Sequence, residues 1–313
     1  MIFQPIPDNA ARQVVDSCAI WSEFLLAKAS VKPYVGGMYW KKEGAYEYLV
    51  RTLPGNKRER LGPRTRELEQ YFQNFQVQKE AARDRLTALS GALYEAQRLN
   101  KALRAGRVPD SVVKLLNGFN ELGLDETFVV VGTHALLAYE SAAGVRIAAD
   151  SSSLNPSDLL GDARRVVTFI VGNMLSASAL VAKLQLIDGS YRLRDEGTAS
   201  ECIINSKGFV VTFIRVGQMD IHLQSVEGSS DSPISESILL STFNPTFPIC
   251  SQTVISSTGK MATMRVLTPK AFLEFSQLLA KQEEIIEDLR SRNLAQAQVV
   301  NQLLNTKMLL STC

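Results

Sequence analysis

The sequence predicts an α+β protein. An N-terminal helix and basic β-hairpin (residues 1–62) precede a long helical arm (63–108), a mixed-sheet core (109–218), and a C-terminal region of strands and helices (219–313). Three observations carry this. Residues 63–105 sustain a seven-residue apolar recurrence. The run MYWKKEGAYEYLVRTLPGNKRERLG alternates β-favouring residues around turn residues. The run FVVVGTHALLAYESAAG passes from a β-favouring stretch to helical spacing across Gly132 and Thr133.

In chain order, Val14, Val15, Ala19, Ile20, Phe24 and Leu25 fall at helical spacing and predict a helix within residues 1–35. Strands are then expected on either side of a Glu43-Gly44 turn and a Pro54-Gly55-Asn56 turn. In the arm, Leu68, Phe75, Ala82, Leu89, Ala96 and Leu103 recur every seven residues, supported by Phe72, Leu86 and Leu93. Lys79 and Asn100 interrupt the second seam, and Ser90-Gly91 is a point at which the helix could break into a hairpin. Such a seam must be covered, either by the chain's own domains or by another subunit; the preferred expectation is an exposed arm that makes a homodimer. The segment AGRVPDSVVKLLNGFNELGLDE is expected to end a helix at Gly123 and lead into the core. Strands around Val254-Ile255 and Met264, and helices over about 268–311, complete the chain.

At 313 residues the chain can bury a substantial core in about two or three structural units. No window supplies the roughly 18 to 20 apolar residues of a membrane span. The nearest, VVTFIVGNMLSASALVAKL, contains Gly172, Asn173 and two serines and reads as strand then helix. The start MIFQPIPDNAARQ lacks the basic and apolar regions of a signal peptide, so a cytoplasmic location is expected. Cys18, Cys202, Cys250 and Cys313 are scattered, and His134 and His222 are the only histidines. No zinc site can be assembled from that spacing, and no G-x-S-x-G nucleophile setting occurs.

Charge is uneven. Residues 41–107 carry fifteen Lys and Arg against eight Asp and Glu, in a chain whose net charge is +2. Lys57, Arg58, Arg60, Arg64 and Arg66 lie close in sequence to Tyr39, Trp40, Tyr46 and Tyr48. Cations for phosphates beside aromatics for bases suit an RNA or DNA module; the alternative is a solvated hairpin whose aromatics form a small core.

The junction at Gly132 concentrates candidate chemistry. A strand–turn–helix junction presents backbone N–H groups and the positive end of the helix dipole. Gly132 permits close approach and Thr133 supplies a hydroxyl for a phosphate. The alternative is a turn glycine with Thr133 as a simple helix cap. His134 either approaches a phosphate or base, or packs and caps locally.

Six blocks in order carry a resemblance over nearly the whole chain: GGMYWKKEGAYEYLVRTLPGNKRERLGPRT (36–65), VVGTHALLAYESAAGVRI (130–147), DLLGDAR (158–164), NSKGFVVTFIR (205–215), LTPKAFLEF (267–275) and RNLAQA (292–297). The chain resembles a family of prokaryotic nucleotidyltransferase-fold proteins of the polymerase-β-like superfamily. In such proteins a Gly-Ser or Gly-Thr turn is followed by a strand bearing Asp-x-Asp and by a third Asp on a later strand. The resemblance implies a nucleotidyltransferase-like core, with Gly132, Thr133, His134 and Arg164 toward a nucleoside triphosphate. It further implies Asp158 and Asp162 as catalytic remnants, with Asp158 as a ligand of Mg²⁺. Departures accompany the matches. Pro156 and Thr212 stand where carboxylates are expected, Gly161 replaces a bulky residue, and Ser276 and Asn293 replace an expected lysine and acid.

Nucleotidyl transfer uses two divalent ions clamping the attacking and leaving oxygens, held by carboxylates, waters and phosphates. Neither proline nor threonine replaces an anionic ligand. Asp150, Asp162 and Asp220 are candidates to rebuild the set; otherwise they are solvated loop acids. Asp158 and Asp162 share a face if helical but lie about 13 Å apart along a strand. The expected function is therefore a catalytically degraded nucleotidyltransferase-fold protein that binds nucleotide, nucleic acid or a protein partner. The alternative is an active Mg²⁺-dependent enzyme adding a nucleoside monophosphate to RNA, protein or a small acceptor around Asp158. Many relatives in the superfamily serve toxin–antitoxin or defence systems.

Overall fold

A short strand, β1 (Phe3–Pro5), precedes helix α1 (Asp8–Val31). Asp8 in the first turn and Lys28 in the last complement the dipole of α1, which gives way to a 3-10 turn, Lys32–Tyr34, containing Pro33. Strands β2 (Gly37–Glu43), β3 (Tyr46–Thr52) and β4 (Arg58–Pro63) follow, then helix α2 (Arg66–Ala102). Beyond it lie α3 (Asp110–Glu121), β5 (Phe128–Val131), α4 (Thr133–Ala142), β6 (Val145–Ile147), β7 (Val166–Gly172) and α5 (Ala177–Ile187). The chain continues through β8 (Arg192–Leu193), β9 (Cys202–Ile204), β10 (Val210–Val216), β11 (Ile249–Ile255), β12 (Met261–Leu267), α6 (Pro269–Ala280) and α7 (Glu287–Asn305). The computed structural model describes residues 3–147, 165–172, 176–194, 202–216, 247–281 and 287–310. Among the described residues no helix is long and apolar enough to cross a membrane.

The chain forms two units, Val15–Leu99 and a larger one of Met1–Val14 with Asn100–Cys313. In the smaller unit, β2, β3 and β4 form an antiparallel sheet in that order. Alternation along the strands puts Met38, Trp40 and Leu49 on one face. That face packs on Leu68, Phe72 and Phe75 of α2, with Trp40 and Phe72 ring centroids 6.1 Å apart. Helix α1 runs antiparallel to α2 within this unit: Glu23 pairs with Arg85 at 2.5 Å, and the Tyr34 ring lies 5.4 Å from that of Phe75.

Helix α2 does not break at Ser90-Gly91, so no hairpin forms there. The Ser90 hydroxyl donates back to the Leu86 carbonyl at 2.6 Å, which satisfies it within the helix. Leu86, Leu89 and Leu93 on either side are half-buried, so seam packing outweighs a glycine penalty of about 1 kcal/mol. The seam read from the seven-residue recurrence is real, since Phe75 and Ala96 are buried and Leu68, Phe72 and Ala82 half-buried within this one chain.

The larger unit is built on a seven-stranded mixed sheet in the order β11-β12-β5-β7-β10-β9-β8. β12 with β5 and β10 with β7 are parallel, and the other neighbours are antiparallel. Strand β12 thus lies beside the strand that leads to Gly132, and β11 lies beside β12, which makes Ile249–Ile255 and Met261–Leu267 part of the same sheet. One sheet face carries Phe128, Phe169 and Phe213, closed by Phe119 of α3 stacked on Phe128 at 4.0 Å. Helix α5 joins α3 on this side because Gly118 has no side chain; a Cβ there would lie 2.6 Å from the Ile187 side chain.

Helix α4 is anchored at its C-terminal half. The Tyr139 hydroxyl donates to the Leu267 carbonyl at 2.6 Å, and its ring meets Phe272 of α6 edge-on at 5.4 Å. Glu140, 1% exposed, accepts from Arg107 at 3.0 and 3.2 Å, from Arg146 at 2.9 Å and from the Ile147 amide at 3.2 Å. Arg146 also donates to the carbonyls of Arg104 and Ala105, at 3.0 and 2.8 Å. A buried carboxylate is tolerable here because charge and hydrogen bonds compensate its desolvation together.

Candidate functional site

The four residues of β5 are all buried, which seats the strand firmly beneath the turn it feeds. Gly132 then takes φ 67° and ψ −143°, a conformation open essentially to glycine alone. A Cβ built there would meet nothing within 4 Å, so the turn faces open space. Helix α4 starts immediately afterwards, with the Gly132 carbonyl accepting from the amides of Ala135 and Leu136 at 3.1 and 3.4 Å. The N-terminal end of the α4 dipole lies at this turn.

Gly132 is the N-cap of α4 and Thr133 its first helical residue, so Thr133 is not a simple cap. Its half-buried hydroxyl oxygen instead accepts from Gln296 Nε2 of α7 at 3.1 Å. Arg292 lies four residues before Gln296, one turn away on the same face of α7. Its Nε is buried and has no hydrogen-bond partner among the described residues. His134 is buried at 1% exposure in α4. Asp158, Asp162 and Arg164, together with Asp150, Pro156, Gly161, Asp220 and His222, lie outside the described residues.

The sheet beside the turn is described. Val131, the last residue of β5, pairs with Thr168 of β7, which pairs with Thr212 of β10, which pairs with Cys202 of β9. Paired residues share a face, so this row lies opposite the Phe128–Phe169–Phe213 cluster. Thr168, Thr212 and Cys202 are half-buried. The Thr212 hydroxyl donates to Thr168 Oγ1 at 2.8 Å and lies 3.3 Å from the Val167 carbonyl. The position expected to be acidic is thus occupied by one partner of a neutral hydroxyl pair, two strands from Gly132. Mg²⁺ is held by carboxylates, waters and phosphates, and a row of two hydroxyls and a thiol does not fit it as a dedicated ligand set. Among the described residues, no group of three or more His, Cys, Asp or Glu side chains could hold a metal ion. Ser276 is buried in α6, and Asn293 is half-buried beside Arg292.

The basic cluster of the smaller unit divides when folded. Arg58 and Arg60 sit on the face of β4 away from α2, with Tyr39, Lys41, Tyr46 and Tyr48 of β2 and β3. Lys57 is exposed in the turn before β4, and Arg66 is exposed at the start of α2. Arg64 is taken up by Glu47 at 2.5 Å and Glu69 at 2.6 Å, which hold its guanidinium above its ordinary pKa. Its guanidinium also lies 5.1 Å from the Trp40 ring, on the α2-facing side.

The sequence does not reveal that Gln296 meets Thr133. Gln296 falls in the RNLAQA block, but nothing local in that block points to a turn 163 residues earlier. A protein-family model described as Nucleotidyltransferase matches residues 110–311. No curated protein and no solved structure matches the chain.

Proposed function

The chain belongs to the nucleotidyltransferase family, and from that premise we propose that its core binds a nucleoside triphosphate at the Gly132–Thr133 turn without efficient nucleotidyl transfer. The observation that carries this reading is the open glycine turn at the start of α4, with the Thr133 hydroxyl held by Gln296 and the Arg292 guanidinium one turn along α7. Backbone amides and the helix dipole favour a phosphate there, and an arginine supplies directional charge-assisted donors. Gln296 donates to the Thr133 hydroxyl oxygen, which fixes the threonine side chain beside the turn. Thr212, paired with Thr168, supplies no anionic ligand, and Pro156 supplies none at the other expected position. Loss of both leaves a scaffold for recognition of nucleotide, nucleic acid or a protein partner rather than a two-ion transfer site.

A second reading is favoured by one feature: DLLGDAR keeps Asp158, Asp162 and Arg164. In that reading Asp158 supports Mg²⁺-dependent transfer to RNA, protein or a small acceptor. The deciding experiment titrates the full chain with each of the four NTPs and, in parallel, follows transfer of α-label to total RNA and to the protein itself. Saturable binding, weakened by Thr133→Val and Arg292→Gln and unaccompanied by incorporation, is expected. Incorporation abolished by Asp158→Ala would establish the second reading, and absence of any NTP binding would sink both.

A further inference from the structure

The smaller unit carries a site independent of the nucleotide reading. The sheet face turned away from α2 brings Tyr39, Tyr46, Tyr48, Lys41, Arg58 and Arg60 together across three strands. Register makes the arrangement explicit. Lys41 pairs with Tyr48, Tyr39 with Val50 and then Arg60, and Thr52 with Arg58. The irregularity between Leu49 and Val50 sets this pairing in β4. Without that shift, β4 would present its alternate residues, Glu59 among them, on this face.

Two of the rings are open to solvent. Tyr46 is 65% exposed and Tyr39 38%, whereas the apolar residues Met38 and Leu49 on the other face are buried. Tyr46 and Tyr48 have ring centroids 6.5 Å apart, and the Arg60 guanidinium lies 3.3 Å over the centre of the Tyr48 ring. Glu43 is the one acidic residue on this face; Lys41 at 2.8 Å and Arg60 at 3.3 Å hold its carboxyl below its ordinary range. Three cations therefore stand against one acid. The smaller unit as a whole carries fourteen Lys and Arg against ten Asp and Glu, whereas the rest of the chain has a negative excess.

We infer that this face binds single-stranded nucleic acid, with Tyr46 and Tyr39 as stacking surfaces and Arg58, Lys41 and Arg60 as backbone contacts. Exposed rings on a sheet stack unpaired bases without regard to sequence, and flanking cations follow the phosphates. A duplex hides its base faces and gains only the electrostatic part. Charge complementarity favours a polyanion over a second copy of the same cationic face, since like charges opposed across an interface are repulsive.

The test is fluorescence anisotropy of the full chain with a labelled uridine oligomer, the matching deoxythymidine oligomer and a duplex of equal length. Each is measured with an NTP in excess, so that the core site is saturated. Single strands are expected to bind more tightly than the duplex. Tyr46→Ala should weaken them about fivefold or more while Tyr46→Phe retains binding. Arg58→Ala should lower the slope of log affinity against log salt by about 0.7. The ratio of the two single strands shows whether RNA or DNA is preferred. NTP binding should be unchanged in all three variants, which separates failure here from failure of the nucleotide reading. The inference is overturned if no oligomer binds, if the duplex binds as well as the single strands and Tyr46→Ala changes nothing, or if Tyr46→Ala abolishes self-association instead.

Discussion

The two ends of α4 handle polar groups in opposite ways. At its C-terminal half, Glu140 is sealed at 1% exposure between two arginines and a backbone amide. At its N-terminus, Gly132 opens onto space, Thr133 is half-buried, and the adjoining sheet row carries neutral hydroxyls. Charge is spent at the closed end to tie the 104–107 segment and β6 to the helix. At the other end, Gln296 of α7 holds the Thr133 hydroxyl at 3.1 Å, with Arg292 one helical turn before it on the same face of α7. On the proposed reading, a carboxylate beside this helix N-terminus would compete with a bound phosphate.

The sharpest way to break that comparison is Glu140→Ala. It leaves Arg107 and Arg146 without their shared buried partner, and a loss of about 3–5 kcal/mol in urea unfolding is expected. Near-native stability would mean that the cluster is ornamental and the contrast empty. Gly132→Ala comes next. Its φ of 67° and ψ of −143° should cost about 1–3 kcal/mol although the new Cβ meets no atom. NTP affinity should fall beyond what unfolding explains, and calorimetric titration below the melting transition checks this.

A smaller effect is expected from Gln296→Ala. Removing the donor to Thr133 should cost about 0.5–1.5 kcal/mol of stability, with NTP affinity reduced and Glu140-dependent stability untouched. If nucleotide binding is indifferent to Gln296, α7 belongs to the scaffold rather than to the site. The smallest change concerns Asp110 at the start of α3. Burial raises its carboxyl, but donors from Ser256 and Thr258 and the Lys260 ammonium outweigh that and leave it below its ordinary 3.8. A lowered folded pKa contributes stability that is present above pH about 4 and is lost as pH falls through the folded value. Asp110→Asn should therefore lower neutral-pH stability slightly, leave stability below the folded pKa nearly unchanged, and so flatten the acid limb of the stability curve. An acid limb unaffected by the substitution would remove this partly exposed carboxylate as a reference point for Glu140.

Much of the architecture was legible locally. The α1 and α2 periodicities, the strand–glycine–helix step at 128–142, and the strands around 254 and 264 all appear as expected. The possible break at Ser90-Gly91 does not form, because a weak local breaker is outweighed by the leucines that pack on both sides of it. The hairpin cations were read as one cluster, whereas folding sends Arg58 and Arg60 to one face and pairs Arg64 with Glu47 and Glu69. Strand parity and one register shift decide that division, and neither is visible in composition.

Residue order by itself specified which segments become helix, strand and turn, because those choices depend on spacing and on backbone freedom within a few residues. It also specified that Thr212 and Pro156 cannot act as carboxylates, because that is a property of the side chains alone. Folding decided that β12 lies beside β5, that Thr168 and Thr212 share a row with Val131, and that Gln296 reaches Thr133. Those juxtapositions join residues far apart in sequence. They follow from burying one continuous sheet and its helices together, a condition that no local stretch of the chain contains.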